Sequence, residues 1–127
     1  MAACALGLIG DRSAGDRLVA ALKDHDPAVR GRARVLFTAH SLPARMSGAD
    51  RYRTQLHESA ALVAARAGVS EWAVVYQSRS GSPQDPWLEP DVCDSLRGER
   101  ARGLEAAVLC PIGFLCDHVE VLYDLDH

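Results

Sequence analysis

The sequence predicts an α/β fold, with a small parallel sheet and flanking helices over residues 35–127 and an α-helical segment over residues 1–34. Two observations support this division. After residue 34, three short apolar runs alternate with three segments of helical character, which is typical of parallel strands joined by right-handed crossovers. Before that point, apolar residues recur at helical spacing. A length of 127 residues fits one compact domain with a short appendage.

The three predicted strands are short and mostly apolar, and the first has the continuous pattern of a strand that is buried on both faces. They are residues 35–39 (VLFTA), 72–76 (WAVVY) and 106–110 (AAVLC). Because a helix is predicted after each strand, all three strands are expected to run in the same direction.

The predicted helices lie at residues 50–67, at residues 90–102 and from about Asp117 onward. In the first helix, Leu56, Ala60 and Val63 are in register, and Gly68 is the stop signal. Gly103 ends the second helix in the same way.

The N-terminal segment resembles a helical repeat. Residues 5–11 (ALGLIGD) and 22–30 (LKDHDPAVR) are similar to a HEAT-type repeat of the lyase-associated kind. In the second stretch, Asp26 can cap a helix and Pro27 fits the first helical position. A single repeat cannot bury its own apolar face, so this HEAT-like segment is expected to pack on the rest of the chain or to be the remnant of a longer array.

Composition and charge exclude several classes of protein. A hydrophobic share of 48% rules out extensive disorder, and no apolar run reaches the ~18 residues of a membrane span. A net charge of −3 without a basic run argues against nucleic-acid binding. Cys4, Cys93, Cys110 and Cys116 form no C-x-x-C pair, so we expect reduced thiols in a cytoplasmic protein.

The candidate site lies after the strands, because ligands of parallel sheets bind at the carboxyl ends of the strands. Polar and aromatic residues follow each of the three predicted strands. They are His40, Ser41 and Leu42 after the first, Gln77, Ser78, Arg79 and Trp87 after the second, and Phe114, Asp117 and Glu120 after the third.

Three ordered blocks in this part of the chain resemble ferrochelatases. Residues 37–43 (FTAHSLP) are similar to the signature that opens the C-terminal half of that family. Residues 76–81 (YQSRSG) with 86–90 (PWLEP) resemble its second block, and residues 111–126 (PIGFLCDHVEVLYDLD) resemble its third. Within the family, the resemblance is closest to the actinobacterial members that metallate coproporphyrin.

The resemblance implies a lyase of haem biosynthesis that inserts ferrous iron into a porphyrin, either coproporphyrin or protoporphyrin. It implies that His40 and Glu120 are the catalytic residues and face each other at the metal and porphyrin centre. Asp117 and Asp124 would extend toward a path for the metal, and Trp87 would line the porphyrin pocket. Iron is the substrate in this scheme, and no cofactor is required for turnover.

The residue types suit this chemistry, since metallation removes two pyrrole protons and strips water from the cation. A neutral imidazole such as that of His40 can bind iron or accept a proton near pH 7. Asp117, Glu120 and Asp124 are spaced so that they line one helix face, where they can hand over a cation. The porphyrin also needs apolar walls, which could come from Trp87, Leu42 and Phe114.

Simpler interpretations of the same residues stay open. His40 could be a hydrogen-bonded histidine at the end of a strand. Asp117 and Glu120 have the spacing of a capping pair in the first turn of a helix. Asp124 could belong to a solvated helix face, and Trp87 could be part of the core.

The departures from the family pattern concern the N-terminal half and the cysteines. The family's N-terminal half is absent, and the HEAT-like segment stands in its place. Some actinobacterial members carry an iron–sulfur cluster, but Cys93, Cys110 and Cys116 form no recognisable ligand set, so no cluster is expected here.

Three functions are therefore open for this chain. It could be a chelatase half-domain that completes its cleft as a homodimer or with a separate N-terminal half. It could be a non-catalytic porphyrin-binding or metal-binding fragment. It could also be a scaffold whose HEAT-like segment docks other proteins.

Overall fold

The structure is a computed structural model that describes residues 33–82, 84–116 and 119–126. Strands and helices alternate along these residues, which confirms the predicted α/β class. The elements are β1 (Ala33–His40), α1 (Ala49–Ala67), β2 (Trp72–Gln77), α2 (Val92–Ala101), β3 (Ala106–Cys110) and α3 (Val119–Asp126). The HEAT-like segment predicted for residues 1–34 lies outside the described residues, apart from Ala33 and Arg34, which belong to β1.

β1 is the central strand of a parallel three-stranded sheet with the order β2–β1–β3. Val35 pairs with Trp72 on one side and with Val108 on the other. The central place agrees with the sequence of β1, because the five residues from Val35 to Ala39 are all buried.

β1 begins before its predicted start at residue 35. Ala33 pairs with Ala106 of β3, so the sheet extends further toward the N-terminus than the apolar run. Arg34 breaks the apolar pattern, and its Nη1 donates to Glu99 Oε1 at 2.6 Å. This contact with α2 gives the charged side chain a hydrogen-bond partner. The apolar pattern alone would not place a charged residue in the strand.

The sheet is covered on both faces, and alternate residues of β1 point to opposite sides. Val35 and Phe37 pack with Ala60 and Ala64 of α1 on one face. The other face joins the sheet to α2 and α3 through a cluster formed by Leu36, Val75, Leu109, Val92, Val121 and Leu125.

α1 closely matches its prediction. It ends at Gly68, whose left-handed φ of 68° lets its N–H bond back to the carbonyls of the last turn. In the part of the chain that the structure describes, no helix combines the length and the apolar character that crossing a membrane requires.

α2 begins at Val92 rather than at the predicted residue 90. The backbone N–H of Tyr76 donates to Pro90 O at 2.9 Å, so the residues before the helix are tied to β2. Asp91 then caps the helix, since its carboxylate accepts a hydrogen bond from Cys93 N at 2.8 Å.

The loop from β3 to α3 lies directly against β1. Gly113 N donates to Thr38 O at 3.1 Å. A Cβ on residue 113 would lie 2.6 Å from Ala39 Cβ, so this approach requires glycine. The loop therefore passes close to the end of β1 before α3 begins.

Candidate functional site

His40 is the last residue of the central strand, so its side chain lies at the middle of the carboxyl edge of the sheet. The next residue, Ser41, is tied to both neighbouring segments. Ser41 N donates to Gln77 O at 2.8 Å, and Ser41 Oγ donates to Leu88 O at 2.9 Å. The backbone that carries His40 is therefore held from two sides.

Glu120 of α3 meets His40 at this edge. His40 Nε2 lies 3.4 Å from Glu120 Oε1, and the two side chains are 32% and 41% exposed. The family resemblance implied that these two residues face each other, and the structure brings them together. The pair is open enough to solvent for a ligand to reach it.

The hydrogen bond of the other ring nitrogen of His40 indicates which nitrogen of the neutral imidazole carries the proton. Nδ1 is hydrogen bonded to the carbonyl oxygen of Ser41. A carbonyl only accepts, so Nδ1 carries the proton and Nε2 of the neutral ring carries the lone pair. Nε2 and the Glu120 carboxylate are then two electron-pair donors 3.4 Å apart, close enough to share a proton or a metal ion.

Tyr52 of α1 supports the same backbone. Its hydroxyl donates to His40 O at 3.0 Å. Burial, and next to it the nearby Tyr76, raise the pKa of the Tyr52 phenol, so the hydroxyl stays protonated and remains a donor.

Asp124 lies one helical turn beyond Glu120 and has a different partner. Its carboxylate accepts a hydrogen bond from Ser78 Oγ. Both residues line a cavity of about 420 Å³ that Arg79 and Tyr123 also line. Asp124 is thus placed beside the loop after β2, while Glu120 faces the end of β1.

The predicted metal set of His40, Glu120, Asp117 and Asp124 is only partly described. Asp117 lies outside the described residues. Over residues 33–82, 84–116 and 119–126, no group of three or more His, Cys, Asp or Glu side chains is placed to hold a metal ion. The structure therefore brings two of these four side chains together, those of His40 and Glu120, and the metal roles of all four residues stay predictions.

The residues predicted to line a porphyrin pocket lie in two places. Leu42 and Trp87 are neighbours, because Leu88 N donates to Leu42 O at 2.8 Å and Pro43 forms a bridge with Trp87. Phe114 packs instead against the core cluster between the sheet and helices α2 and α3. All three side chains are partly buried, and their binding of a porphyrin stays a prediction.

Gln77, which the sequence placed at the candidate site without a specific role, and Tyr52, which it did not single out, both contact the pair's backbone. Gln77 Nε2 donates to Glu120 O at 2.9 Å. The signal that indicated Gln77 is that it is a polar residue directly after a buried apolar run, at the edge where ligands bind. No local signal distinguishes Tyr52, because its contact with His40 depends on how α1 packs on the sheet.

The family model described as Ferrochelatase matches residues 13–127, and the chain belongs to the ferrochelatase family. The predicted family resemblance is thereby confirmed. Because the match reaches back to residue 13, the comparisons give no support to the HEAT-like interpretation of residues 1–34.

Three similar curated proteins share one name. The chain is 53% identical over 102 residues to the coproporphyrin III ferrochelatase of Mycolicibacterium vanbaalenii. The matched region covers 78% of this chain and 30% of that protein. The coproporphyrin III ferrochelatases of Mycobacterium tuberculosis and Mycolicibacterium smegmatis are 52% identical over 102 residues, with the same shares covered. The chain thus spans about 30% of the length of the curated relatives it matches.

Proposed function

We propose that this chain supplies the C-terminal part of a ferrochelatase site and takes part in inserting ferrous iron into a porphyrin in haem biosynthesis. The observation that supports this most directly is the 3.4 Å approach of His40 Nε2 to Glu120 Oε1, in a chain that belongs to the ferrochelatase family. The names of the relatives favour coproporphyrin III over protoporphyrin as the substrate.

The spacing of the pair suits a metal ion. At ligand bonds of about 2.1 Å, two ligand atoms separated by 3.4 Å fit neighbouring positions of a tetrahedral ion. The neutral imidazole supplies a nitrogen ligand and Glu120 supplies a negatively charged oxygen ligand. Together they replace part of the water that surrounds a ferrous ion in solution.

The same two groups account for the protons that metallation releases. As iron forms bonds to the porphyrin nitrogens, two pyrrole N–H bonds break and two protons leave. In the proposed reaction, His40 Nε2 takes one proton and the Glu120 carboxylate takes the other once the ion has moved to the ring. No cofactor enters this reaction, because ferrous iron is a substrate.

In this proposal the facing wall of the cleft corresponds to the part of the relatives that this chain does not cover, since the chain spans about 30% of their length. A second copy of the chain or a separate N-terminal half would supply this wall. The proposed location of the reaction is the cytoplasm. The His40–Glu120 pair also suits an alternative function, in which the chain binds a porphyrin or a metal ion without turnover.

Zinc insertion into coproporphyrin III and protoporphyrin IX, followed by absorbance, tests the proposal. We expect His40→Ala and Glu120→Ala each to lower the rate by at least about 100-fold, the usual contribution of a general acid–base group. His57→Ala and Glu58→Ala are matched controls, because these residues are exposed on α1 away from the pair, and they should keep the rate of the unaltered chain.

The three outcomes separate the candidate functions. Turnover that both site variants abolish supports the enzyme. Porphyrin binding without turnover supports the alternative. Absence of both contradicts the proposal.

A further inference from the structure

Gln77 is connected to both members of the His40–Glu120 pair. It is the last residue of β2 and pairs with His40 across the sheet. Its backbone oxygen accepts from Ser41 N at 2.8 Å, and its side-chain Nε2 donates to Glu120 O at 2.9 Å. A single residue therefore links the backbone beside His40 to the backbone of Glu120.

Packing alone holds α3 less specifically than this hydrogen bond does. Val121 and Leu125 of α3 are buried in the cluster shared with the sheet, but apolar contact has no preferred direction. A hydrogen bond depends on distance and angle. The bond to Glu120 O therefore adds a directional restraint to the position in which α3 presents the Glu120 side chain.

The side-chain oxygen of Gln77 lacks a partner among the described residues, which indicates that the N–H group of the amide makes the important contact. Gln77 is 1% exposed, and its Oε1 has no hydrogen-bond partner within the described part of the chain. The carbonyl of Glu120 only accepts, so Nε2 must face it and Oε1 is left on the other side. A buried unpaired oxygen is destabilising, and an apolar side chain of similar length would pack without this penalty.

Ser78 makes a second connection to α3, one helical turn further along. Its Oγ donates to the carboxylate of Asp124. The φ of Ser78 is 62°, in the left-handed region that non-glycine residues rarely occupy. Two consecutive residues, Gln77 and Ser78, thus contact α3 at Glu120 and at Asp124.

We infer that Gln77 is a positioning residue, whose amide N–H holds Glu120 opposite His40 so that both side chains reach the same metal ion. The inference rests on the proposed function for the role of the metal. Its structural part, the placement of Glu120 relative to His40, can be measured without any metal.

Gln77→Met in the full chain is the variant that tests the inference. Methionine keeps the length of the side chain and removes both the N–H donor and the unpartnered oxygen. Thr38→Val is the matched control, because Thr38 is also buried in the sheet and its Oγ1 also lacks a partner within the described residues. Should Gln77→Met fail to fold, Gln77→Leu serves in its place.

The first readout is the affinity for Co²⁺, followed by its visible absorption. We expect Gln77→Met to weaken binding roughly three- to tenfold, the contribution of one hydrogen bond, and Thr38→Val to leave it unchanged. In a Glu120→Ala background, Gln77→Met should have no further effect, because the residue acts through Glu120. A loss of the same size in that background would assign Gln77 a structural role only and overturn the inference.

The second readout is the nuclear Overhauser effect between the His40 ring and the Glu120 side chain in the metal-free chain. We expect it in the unaltered chain and in Thr38→Val, and we expect its loss in Gln77→Met while contacts within the sheet persist. An unchanged effect in Gln77→Met overturns the inference whatever the metal result. Failure of the unaltered chain to bind Co²⁺ would instead count against the proposed function, and the two failures are thereby distinguished.

Discussion

His40 Nε2 and Glu120 Oε1 lie 3.4 Å apart, so the end of the central strand and the first turn of the last described helix meet at one point. Each group is held through its backbone. Tyr52 donates to the carbonyl of His40, and Gln77 donates to the carbonyl of Glu120. The side chains themselves remain partly exposed, which suits a pair that receives a ligand from solvent.

The charge of Glu120 should dominate the affinity of this pair for a cation. Glu120→Gln keeps the shape of the side chain and removes its negative charge, so we expect Co²⁺ binding to weaken by about tenfold or more in calorimetry. Glu58→Gln removes the same charge from an exposed position on α1 and should have little effect. Equal affinities of the two variants would contradict the assignment of Glu120 as a ligand.

Gly113 should tolerate no side chain. Gly113→Ala would place a Cβ 2.6 Å from Ala39 Cβ and 2.8 Å from Ala39 Cα, and neither atom can move without displacing β1. We expect a loss of about 1–3 kcal/mol in the free energy of unfolding, measured by urea denaturation.

Gly98→Ala is the control for that prediction. Gly98 lies within α2, and an added Cβ there meets nothing within 4 Å. Because alanine is the better helix former, this variant should gain about 0.5–1 kcal/mol. Equal effects at the two glycines would show that the loop after β3 does not approach β1 as described.

Arg34 should contribute more to stability than an exposed arginine. Its Nη1 donates to Glu99 Oε1 at 2.6 Å, and both side chains are largely shielded from water. We expect Arg34→Met to lower the free energy of unfolding by about 1–2 kcal/mol, after allowance for the remaining solvent exposure.

Arg53 offers the comparison, since its bond to Asp50 at 2.9 Å lies on the open surface of α1. Arg53→Met should cost at most about 0.5 kcal/mol. The salt dependence checks the same point, because screening weakens exposed pairs more than shielded ones. If Arg53→Met were as destabilising as Arg34→Met, the shielded contact between β1 and α2 would contribute no more than an exposed ion pair.

The cysteines should differ in their rates of alkylation. Burial raises the pKa of the Cys110 thiol, and burial followed by the charge of Asp91 raises that of Cys93. At neutral pH, a raised pKa leaves a smaller fraction of reactive thiolate, whereas Cys116 is exposed. We expect iodoacetamide to label Cys110 and Cys93 on the order of tenfold more slowly than Cys116, as followed by peptide mass spectrometry.

The pH dependence of the labelling rate provides a second check on the cysteine prediction. Labelling of Cys110 should accelerate as the pH rises toward its raised pKa, since the thiolate fraction grows there. Labelling of Cys110 as fast as that of Cys116 at neutral pH would contradict the burial of this thiol in the folded chain.

The sequence by itself determined which segments become strands and helices and where most of them end. The run at residues 106–110 is β3 without change, and Gly68 ends α1 as its position predicts. These features are local, because strand burial requires a continuous apolar run and a helix stop requires a residue that accepts a left-handed φ. The three sequence blocks likewise indicated the ferrochelatase family from contiguous residues alone.

Only the tertiary structure decided how these segments meet. It made β1 the central strand, it delayed α2 to Val92 by tying Pro90 to Tyr76, and it placed Gln77 between His40 and Glu120. Each of these outcomes depends on hydrogen bonds between segments that are far apart along the chain. Periodicity describes which face of a segment is buried, but it carries no information about which distant donor will find which acceptor.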